Sequence, residues 1–575
     1  MGQTYMNSQL CYLNDRVQKR FQTVLADWQA NNGTTRLWQK DSTLWTGNDE
    51  SEWLGWFDIV DTQLARVREL NKYRSELAVS SFSHALLLGM GGSSLCPEVL
   101  AKSFGPQKGY PELLVLDSVD PQQIRAFEKR IDLKRTLFIV SSKSGSTLEP
   151  NCLMDYFLER VKKELGEKEA VHRFVAITDP GSSLELKAQQ LGFRRIFHGV
   201  KSIGGRFSAL SDFGMVPATI MGINVEEFIR VTHPMVVACR RNSIEDNPGI
   251  QLGLVLGAAY LEGFDKLTVI CSPPIRYFGA WLEQLIAEST GKGGKAIIPV
   301  VNEALQPAEY YNHDRLFVQL RFIPAPDPEH DAQVQTLIKA GHPVVVIDVR
   351  SLPHIGQEFF RWEIATAVAG SIMRLNPFNQ PDVEASKAAA RKITAEFERT
   401  GNIQTGTPDE QFGNLKVYIA PHLAPVLRPA FKTSFTNGLQ HFLGLLNPKD
   451  FFALLAFVEM NPDTETALQQ IRHLVLQRKK VATCLGFGPR FLHSTGQAYK
   501  GGPDAGVFLQ ITYTPSVDLP VPGKKFTFAA VELAQAQGDF QVMAERARRI
   551  LRIHVEGDLL AGLKELIHAV KIATT

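Results

Sequence analysis

TLFIVSSKSGSTLEPN, residues 136–151, carries the signals of a strand, a turn and a helix in one segment. Leu137-Phe138-Ile139-Val140 is an apolar, partly β-branched run that predicts a short buried strand. The run breaks into Ser141-Ser142-Lys143-Ser144-Gly145-Ser146-Thr147, and a helical pattern starts at Leu148. Strand, hydroxyl-rich turn and helix place backbone N–H groups and the positive end of a helix dipole in front of an anion. The serines, threonine and lysine of the turn supply donors from nearly every direction. Capping serines are also common in ordinary turns, so this stretch alone leaves both uses open.

Working outward, His84-Ala85-Leu86-Leu87-Leu88 precedes Gly89-Met90-Gly91-Gly92-Ser93-Ser94 and a helical pattern to Phe104. This is a second strand–loop–helix unit, and its glycines let backbone approach a ligand closely. Gly89 and Gly91 fit the start of a dinucleotide fingerprint, but Ser94 stands at the third position. Asp117 ends the strand at 113–116, where a ribose-binding acid would sit. A lone Gly-x-Gly is weak evidence. Two anion-type loops after two strands of one unit suit a sugar phosphate, which needs a hydroxyl-lined cradle and no adenosine pocket. A strand at 174–179 and a helix from Ser182 continue the doubly wound pattern. Gly204-Gly205-Arg206-Phe207-Ser208 then sets an arginine among glycines and small residues. It is either a surface charge or a contact for an anion or enediolate.

A second α/β unit follows, with strands expected at 266–271, 296–301, 316–322 and 343–349 and helices at 277–289 and 331–340. Gln284 and Glu288 are four apart, so they share one helix face, with Glu288 in the last turn. A carboxylate there faces the negative end of the helix dipole, which suits a group that takes up a proton. The plainer alternative is a solvated glutamate beside Lys292.

The chain has 575 residues, which predicts two to four domains. Its 44% hydrophobic and 21% charged residues are those of a soluble globular protein. A net charge of +2 gives no pull toward nucleic acid or an anionic membrane. The cysteines are scattered without metal spacing, which predicts reduced thiols and a cytoplasmic setting. No run is apolar enough for export or a membrane span, and Met6 stands where a lipidation signal at Gly2 wants Ser or Thr. Residues 1–80 are expected to be helical, at 10–28 and 52–77, with Trp38, Trp45, Trp53 and Trp56 as a packing cluster. Helix at 384–400 and a linker at 405–409 lead to an α+β domain after about residue 410. Its strands are expected at 451–458, 481–486, 507–513 and 527–532, and its helices at 464–479, 540–549 and 558–570, in a split βαβ layout.

The loops SSKSGST, GMGGSS and GGRFS, the stretch QLIAESTGK, and Asn376-Pro377-Phe378-Asn379-Gln380-Pro381-Asp382 through Lys387 occur in an order that resembles glucose-6-phosphate isomerases. Those enzymes are built from two sugar-isomerase (SIS) domains. The likeness covers about residues 80–390. The flanks, including Trp45-Thr46-Gly47, Trp53-Leu54-Gly55-Trp56 and Gly488 through Gln497, resemble the isomerase half of transaldolase/glucose-6-phosphate isomerase fusions. Only about 80 residues precede the first SIS domain, against roughly 200 for a transaldolase barrel, so that second activity is not expected.

The resemblance implies an α/β fold of two doubly wound, flavodoxin-like SIS domains, at residues 81–240 and 241–405. They are flanked by the helical segment 1–80 and the α+β domain 406–575. It implies phosphate held by Ser142, Ser144, Thr147 and the Lys143 backbone, with Gly92, Ser93 and Gly205 lining the sugar. Gln284 would bind substrate and Glu288 would move the proton between C2 and C1. Arg206 would stabilise the enediolate and Lys387 would act at the ring oxygen. It implies no cofactor or metal, a sugar-phosphate substrate, a homodimer, and no nucleic-acid or membrane partner. The family also uses a ring-opening histidine from the neighbouring subunit. His330 lies nearest the expected region, and His313, His342 and His493 are the other candidates. Two alternatives stand beside this: a broader isomerase acting also on mannose 6-phosphate, and a sensor that binds sugar phosphate without turnover.

Overall fold

The computed structural model describes residues 6–401 and 406–574, without the side chains of residues 383–387, 389 and 390. The chain divides into two compact units, one of Met1–Asp117, Glu128–Thr290 and Arg315–Asn379, the other of Ser118–Phe127, Gly291–Asp314 and Gln380–Thr575. The first described element is a strand, β1 (Gln9–Tyr12), where a helix was expected from residue 10. The helix starts only at Asp15, because the Asn14 side chain accepts the Val17 N–H at 3.0 Å and caps it there. The helix expected from residue 52 likewise begins late, as Ile59–Ala78, after 3₁₀ turns at Glu50–Trp53 and Gly55–Asp58. Gly55 causes the delay: its N–H is bonded to Ser202 O at 3.0 Å, outside any helix.

The first unit holds two sheets. One is built from β2 (His84–Gly89), β3 (Glu112–Leu116), β4 (Thr136–Ser141), β5 (Phe174–Thr178) and β6 (Arg195–His198). Their order is β3-β2-β4-β5-β6, all parallel. Every residue of β4 and β5 is buried, which explains their continuous apolar sequence: both faces of a parallel sheet are covered. The other contains β7 (Lys266–Cys271). The short strand β8 (Ile298–Val301) comes next along the chain, within the second unit. Then follow β9 (Arg315–Phe322) and β10 (Val344–Val349), with β7, β9 and β10 parallel and β1 antiparallel on the β10 edge.

The second unit carries β11 (Glu410–Phe412), β12 (Leu415–Ile419), β13 (Phe451–Phe457), β14 (Ala482–Phe487), β15 (Gly506–Tyr513) and β16 (Arg549–Val555). Their order is β11-β12-β16-β15-β13-β14. β14, β13, β15 and β16 run parallel, and β12 and β11 are antiparallel at one edge, so the split βαβ layout is replaced by a largely parallel, wound sheet. The strand expected at 527–532 is the start of a helix, Phe528–Glu545, capped by the Thr527 side chain. The helix expected at 540–549 is the C-terminal part of that same helix, which ends at Glu545, and β16 starts at Arg549. Helix Phe528–Glu545 is buried on most sides, so its sequence lacks the polar stripe that marks a surface helix. No described helix is long and apolar enough to cross a membrane.

Candidate functional site

In an open parallel sheet, ligands bind beyond the strand carboxyl ends where the winding reverses. In the first sheet the chain passes from β2 to β3 on one side and then to β4 on the other, so the reversal lies between β2 and β4. The two loops singled out in the sequence leave those two strands. The β2 loop runs through a 3₁₀ turn, Gly91–Ser93, into helix Leu95–Phe104. The β4 loop enters helix Leu148–Leu165.

The β4 loop is shaped by a few contacts. Ser142 is buried, and its Oγ accepts the Gly145 N–H at 3.2 Å. Gly145 has φ +72°, and a Cβ there would lie 2.3 Å from Leu184 N, so only glycine fits the bend. Ser144 and Ser146 are exposed to solvent or nearly so, with their hydroxyls 2.9 Å apart. Thr147 is the N-cap of the following helix, yet its side chain makes no capping bond. A hydroxyl at a helix N-terminus that makes no capping bond is placed to donate to an anion. The Lys143 side chain pairs with Asp179 and donates to Lys201 O at 3.2 Å, and its carbonyl accepts the Asp179 N–H at 3.1 Å.

The β2 loop meets the arginine loop. A Cβ on Gly92 would fall 2.0 Å from Gly205 O, so the two backbones touch at a point with no room for a side chain on Gly92. Ser208 Oγ donates to Gly205 O at 2.6 Å. Ser93 is buried, and Ser94 Oγ donates to buried Asp117 at 3.0 Å. The acid considered for a ribose thus pins the loop from behind.

Arg206, in the 3₁₀ turn Gly205–Phe207, is 2% exposed. Its Nε donates to Ser289 Oγ at 2.7 Å, and Nη2 donates to Pro377 O at 2.6 Å and Asn379 O at 3.0 Å. Nη1 lies 3.6 Å from Glu288 Oε2. Gln284 Nε2 donates to the same Glu288 oxygen at 3.2 Å, so the shared helix face is real, on helix Phe278–Thr290. Burial pushes the Arg206 guanidinium below its ordinary range, and the Glu288 charge opposes that. A buried cation so bonded is rigid, and removing its carboxylate partner would cost about 3–5 kcal/mol.

The structure therefore brings Gly92, Gly205, Arg206, Gln284 and Glu288 into one connected set, and Ser142, Lys143, Ser144 and Thr147 into one loop. His330 does not join them. It sits in the first turn of helix Pro328–Lys339, with Nδ1 3.2 Å from Asp327. His342 is buried edge-on to Phe317, with ring centroids 5.3 Å apart. His313 and His493 belong to the second unit. Lys387 falls in helix Val383–Thr400, and its side chain lies outside the described residues. Sequence reasoning missed Ser289 and the Pro377 and Asn379 carbonyls as the holders of Arg206. Carbonyls carry no residue-type signal, and a serine in a helix end looks ordinary.

The family model for phosphoglucose isomerase matches residues 60–304. The glucose-6-phosphate isomerase of Staphylococcus saprophyticus is 27% identical over 390 residues, covering 59% of this chain and 86% of that protein. Among solved structures, a hypothetical protein of Thermus thermophilus matches with a TM-score of 0.58 at 24% identity, over 67% of this chain and 99% of that one. A glucose-6-phosphate isomerase of Chlamydia trachomatis matches with a TM-score of 0.52 at 22% identity, over 58% of this chain and 73% of that one. At such identities the structural matches speak for the fold.

Proposed function

We propose that this chain, a protein of the phosphoglucose isomerase type with SIS architecture, interconverts glucose 6-phosphate and fructose 6-phosphate. The observation that carries this is the buried Glu288, 3.6 Å from the Arg206 guanidinium and beside Gln284. A ligand-binding module needs an anion loop. It does not need a buried carboxylate held against an immobilised cation. Aldose–ketose exchange needs both: one base that reaches C1 and C2, and a positive group at the oxygen where charge develops.

In the mechanism, Ser142, Ser144, Thr147 and the Lys143 backbone hold the phosphate at the helix N-terminus. Gly92, Ser93 and Gly205 admit the sugar chain closely, and Gln284 orients it. Glu288 removes the proton from C2 and returns it to C1. Arg206 stabilises the enediolate oxygen between these steps. Ring opening falls to Lys387 and to a histidine supplied by the partner subunit of a homodimer, with His330 the first candidate. The proposal places the enzyme in the cytoplasm. It keeps residues 81–240 and 241–405 as the two SIS domains, between the segment 1–80 and the domain 406–575.

The test is turnover of fructose 6-phosphate by the wild type and by Glu288→Gln, with inorganic phosphate binding measured on both. Loss of a positioned base should lower kcat about 100- to 10,000-fold while phosphate affinity holds. A wild type that binds phosphate and sugar phosphates without turnover would leave the sensor in place of the enzyme.

A further inference from the structure

The arginine and the phosphate-type loop are joined by a line of contacts through the N-terminal segment. Lys143 Nζ lies 5.9 Å from the centroid of the Trp53 ring. Trp53 Nε1 donates to Asp49 Oδ2 at 2.9 Å. The other oxygen, Asp49 Oδ1, accepts Asn376 Nδ2 at 2.8 Å. Asn376 in turn uses its Oδ1 to accept the Phe378 N–H at 2.9 Å, which shapes the 376–379 turn. That turn presents the Pro377 and Asn379 carbonyls to Arg206. Phe378 is wedged between Trp45 and Phe207, with ring centroids 5.2 Å away on each side.

The turn that carries Asp49 is held by its neighbour Glu50. The carboxylate of buried Glu50 accepts the Thr46 N–H at 3.0 Å and the Asn48 N–H at 2.7 Å, folding the turn that carries Asp49. Two facts bear on its role. Both Asp49 oxygens are used, one for each arm, and each donor is an N–H that cannot become an acceptor. Asparagine would therefore serve one arm and face the other with its amide hydrogens. Trp53 leads to the phosphate side and Asn376 to the arginine, so the carboxylate is the joint between phosphate side and proton-transfer side.

We propose that Asp49 is a positioning residue that sets the distance between the phosphate loop and the Arg206–Glu288 pair, with Trp53 and Asn376 as its two arms. The proposal rests on the isomerase reading for its kinetic readout. A substrate held by its phosphate at one end and deprotonated at the other depends on that distance, and misplacement of about 1 Å costs on the order of 100-fold in rate.

The experiment compares Asp49→Ala, Asp49→Asn and Trp53→Phe with the wild type in steady-state isomerisation of fructose 6-phosphate, with inorganic phosphate affinity and thermal melting alongside. Trp53→Phe cuts only the phosphate arm and should raise KM several-fold with kcat held. Asp49→Ala cuts both arms and should lower kcat/KM about 10- to 100-fold, with KM raised and kcat lowered. Asp49→Asn should fall between them. A lower melting temperature with KM and phosphate affinity unchanged in Asp49→Ala would overturn the proposal in favour of a merely structural aspartate. If the wild type does not turn over, the isomerase reading fails by itself. Phosphate affinity then decides the relay: weakened in Trp53→Phe and Asp49→Ala it stands, unchanged in both it falls.

Discussion

The first sheet and the last wind the same way and use the reversal differently. Among the parallel strands of each, the second in sequence lies on one side of the first and the third lies on the other, giving β3-β2-β4-β5 and β14-β13-β15-β16. Beyond β2 and β4 stand glycine- and serine-rich loops and two helix N-termini. Beyond β13 and β15 stand side chains of this same chain. Gln123 Oε1 accepts the Met460 N–H at 3.0 Å, and Tyr513 Oη donates to Asp120 Oδ2 at 2.6 Å. Asp120 is fully buried, and burial pushes its carboxyl up to about 6 despite the Tyr513 bond. Glu532, also buried, is pushed well above the carboxylate range by the same cause, with the Asp120 charge adding to it. One winding thus yields an anion cradle where small residues line the reversal, and a packed acidic plug where Asp120 and Glu532 do. Function follows the residues at the reversal and not the order of strands.

The largest expected break in this contrast is Arg206→Met. It removes the cation from the first reversal while filling similar space. kcat should fall about 100- to 1,000-fold in steady-state assays, the loss typical of one lost charge-stabilising donor. A fall below tenfold would mean that the cradle is organised without the arginine. A paired substitution sharpens the contrast further. Thr147→Val removes a hydroxyl that caps nothing. Phosphate affinity should therefore drop about tenfold or more while stability moves by less than about 0.5 kcal/mol, since a bond to a charged group is worth about 1.5–3 kcal/mol. Tyr513→Phe should do the reverse. It leaves Asp120 Oδ2 buried without the Tyr513 hydroxyl, while Oδ1 keeps the Gln123 N–H, at a cost of about 1–3 kcal/mol in denaturant unfolding, and leaves turnover unchanged.

Much of the first region was legible because its signals are local. β2, β4 and β5 are unbroken apolar runs, and each anion loop directly follows its strand. The Gln284–Glu288 pair was legible from helical spacing alone. Other features depend on distant partners. Leu10, Cys11 and Tyr12 of β1 read as helix because they join a helical pattern, and only pairing with Val344–Val349 makes them a strand. Phe528 and Val531 read as strand because their helix is buried on most sides and shows no polar face. The Asp49 carboxylate carries no mark in sequence, since what it does depends on Trp53 and on Asn376 far along the chain.

The smallest expected effect lies in the pH dependence of the second unit. Asp120 is raised from an ordinary 3.8 to about 6 in the folded chain. Between those values the folded state holds a proton that the unfolded state has released. The stability this contributes is full below pH 3.8 and is lost as pH rises through 6, on the order of 3 kcal/mol at most. His554 works the other way. Burial, with Arg552 and Lys416 nearby, lowers it from 6.5 to about 4. The unfolded chain therefore binds the extra proton there, and stability grows as pH rises from 4 to 6.5. In the wild type these two slopes oppose each other, and buried Glu532, also raised, adds to that of Asp120. Asp120→Asn removes the Asp120 contribution and leaves that of His554, so the slope of its unfolding free energy against pH should be more positive across pH 4–6 than the wild type's. A matching slope in the two proteins would mean that Asp120 is already ionised in the folded chain and that the second reversal is not closed by a protonated acid.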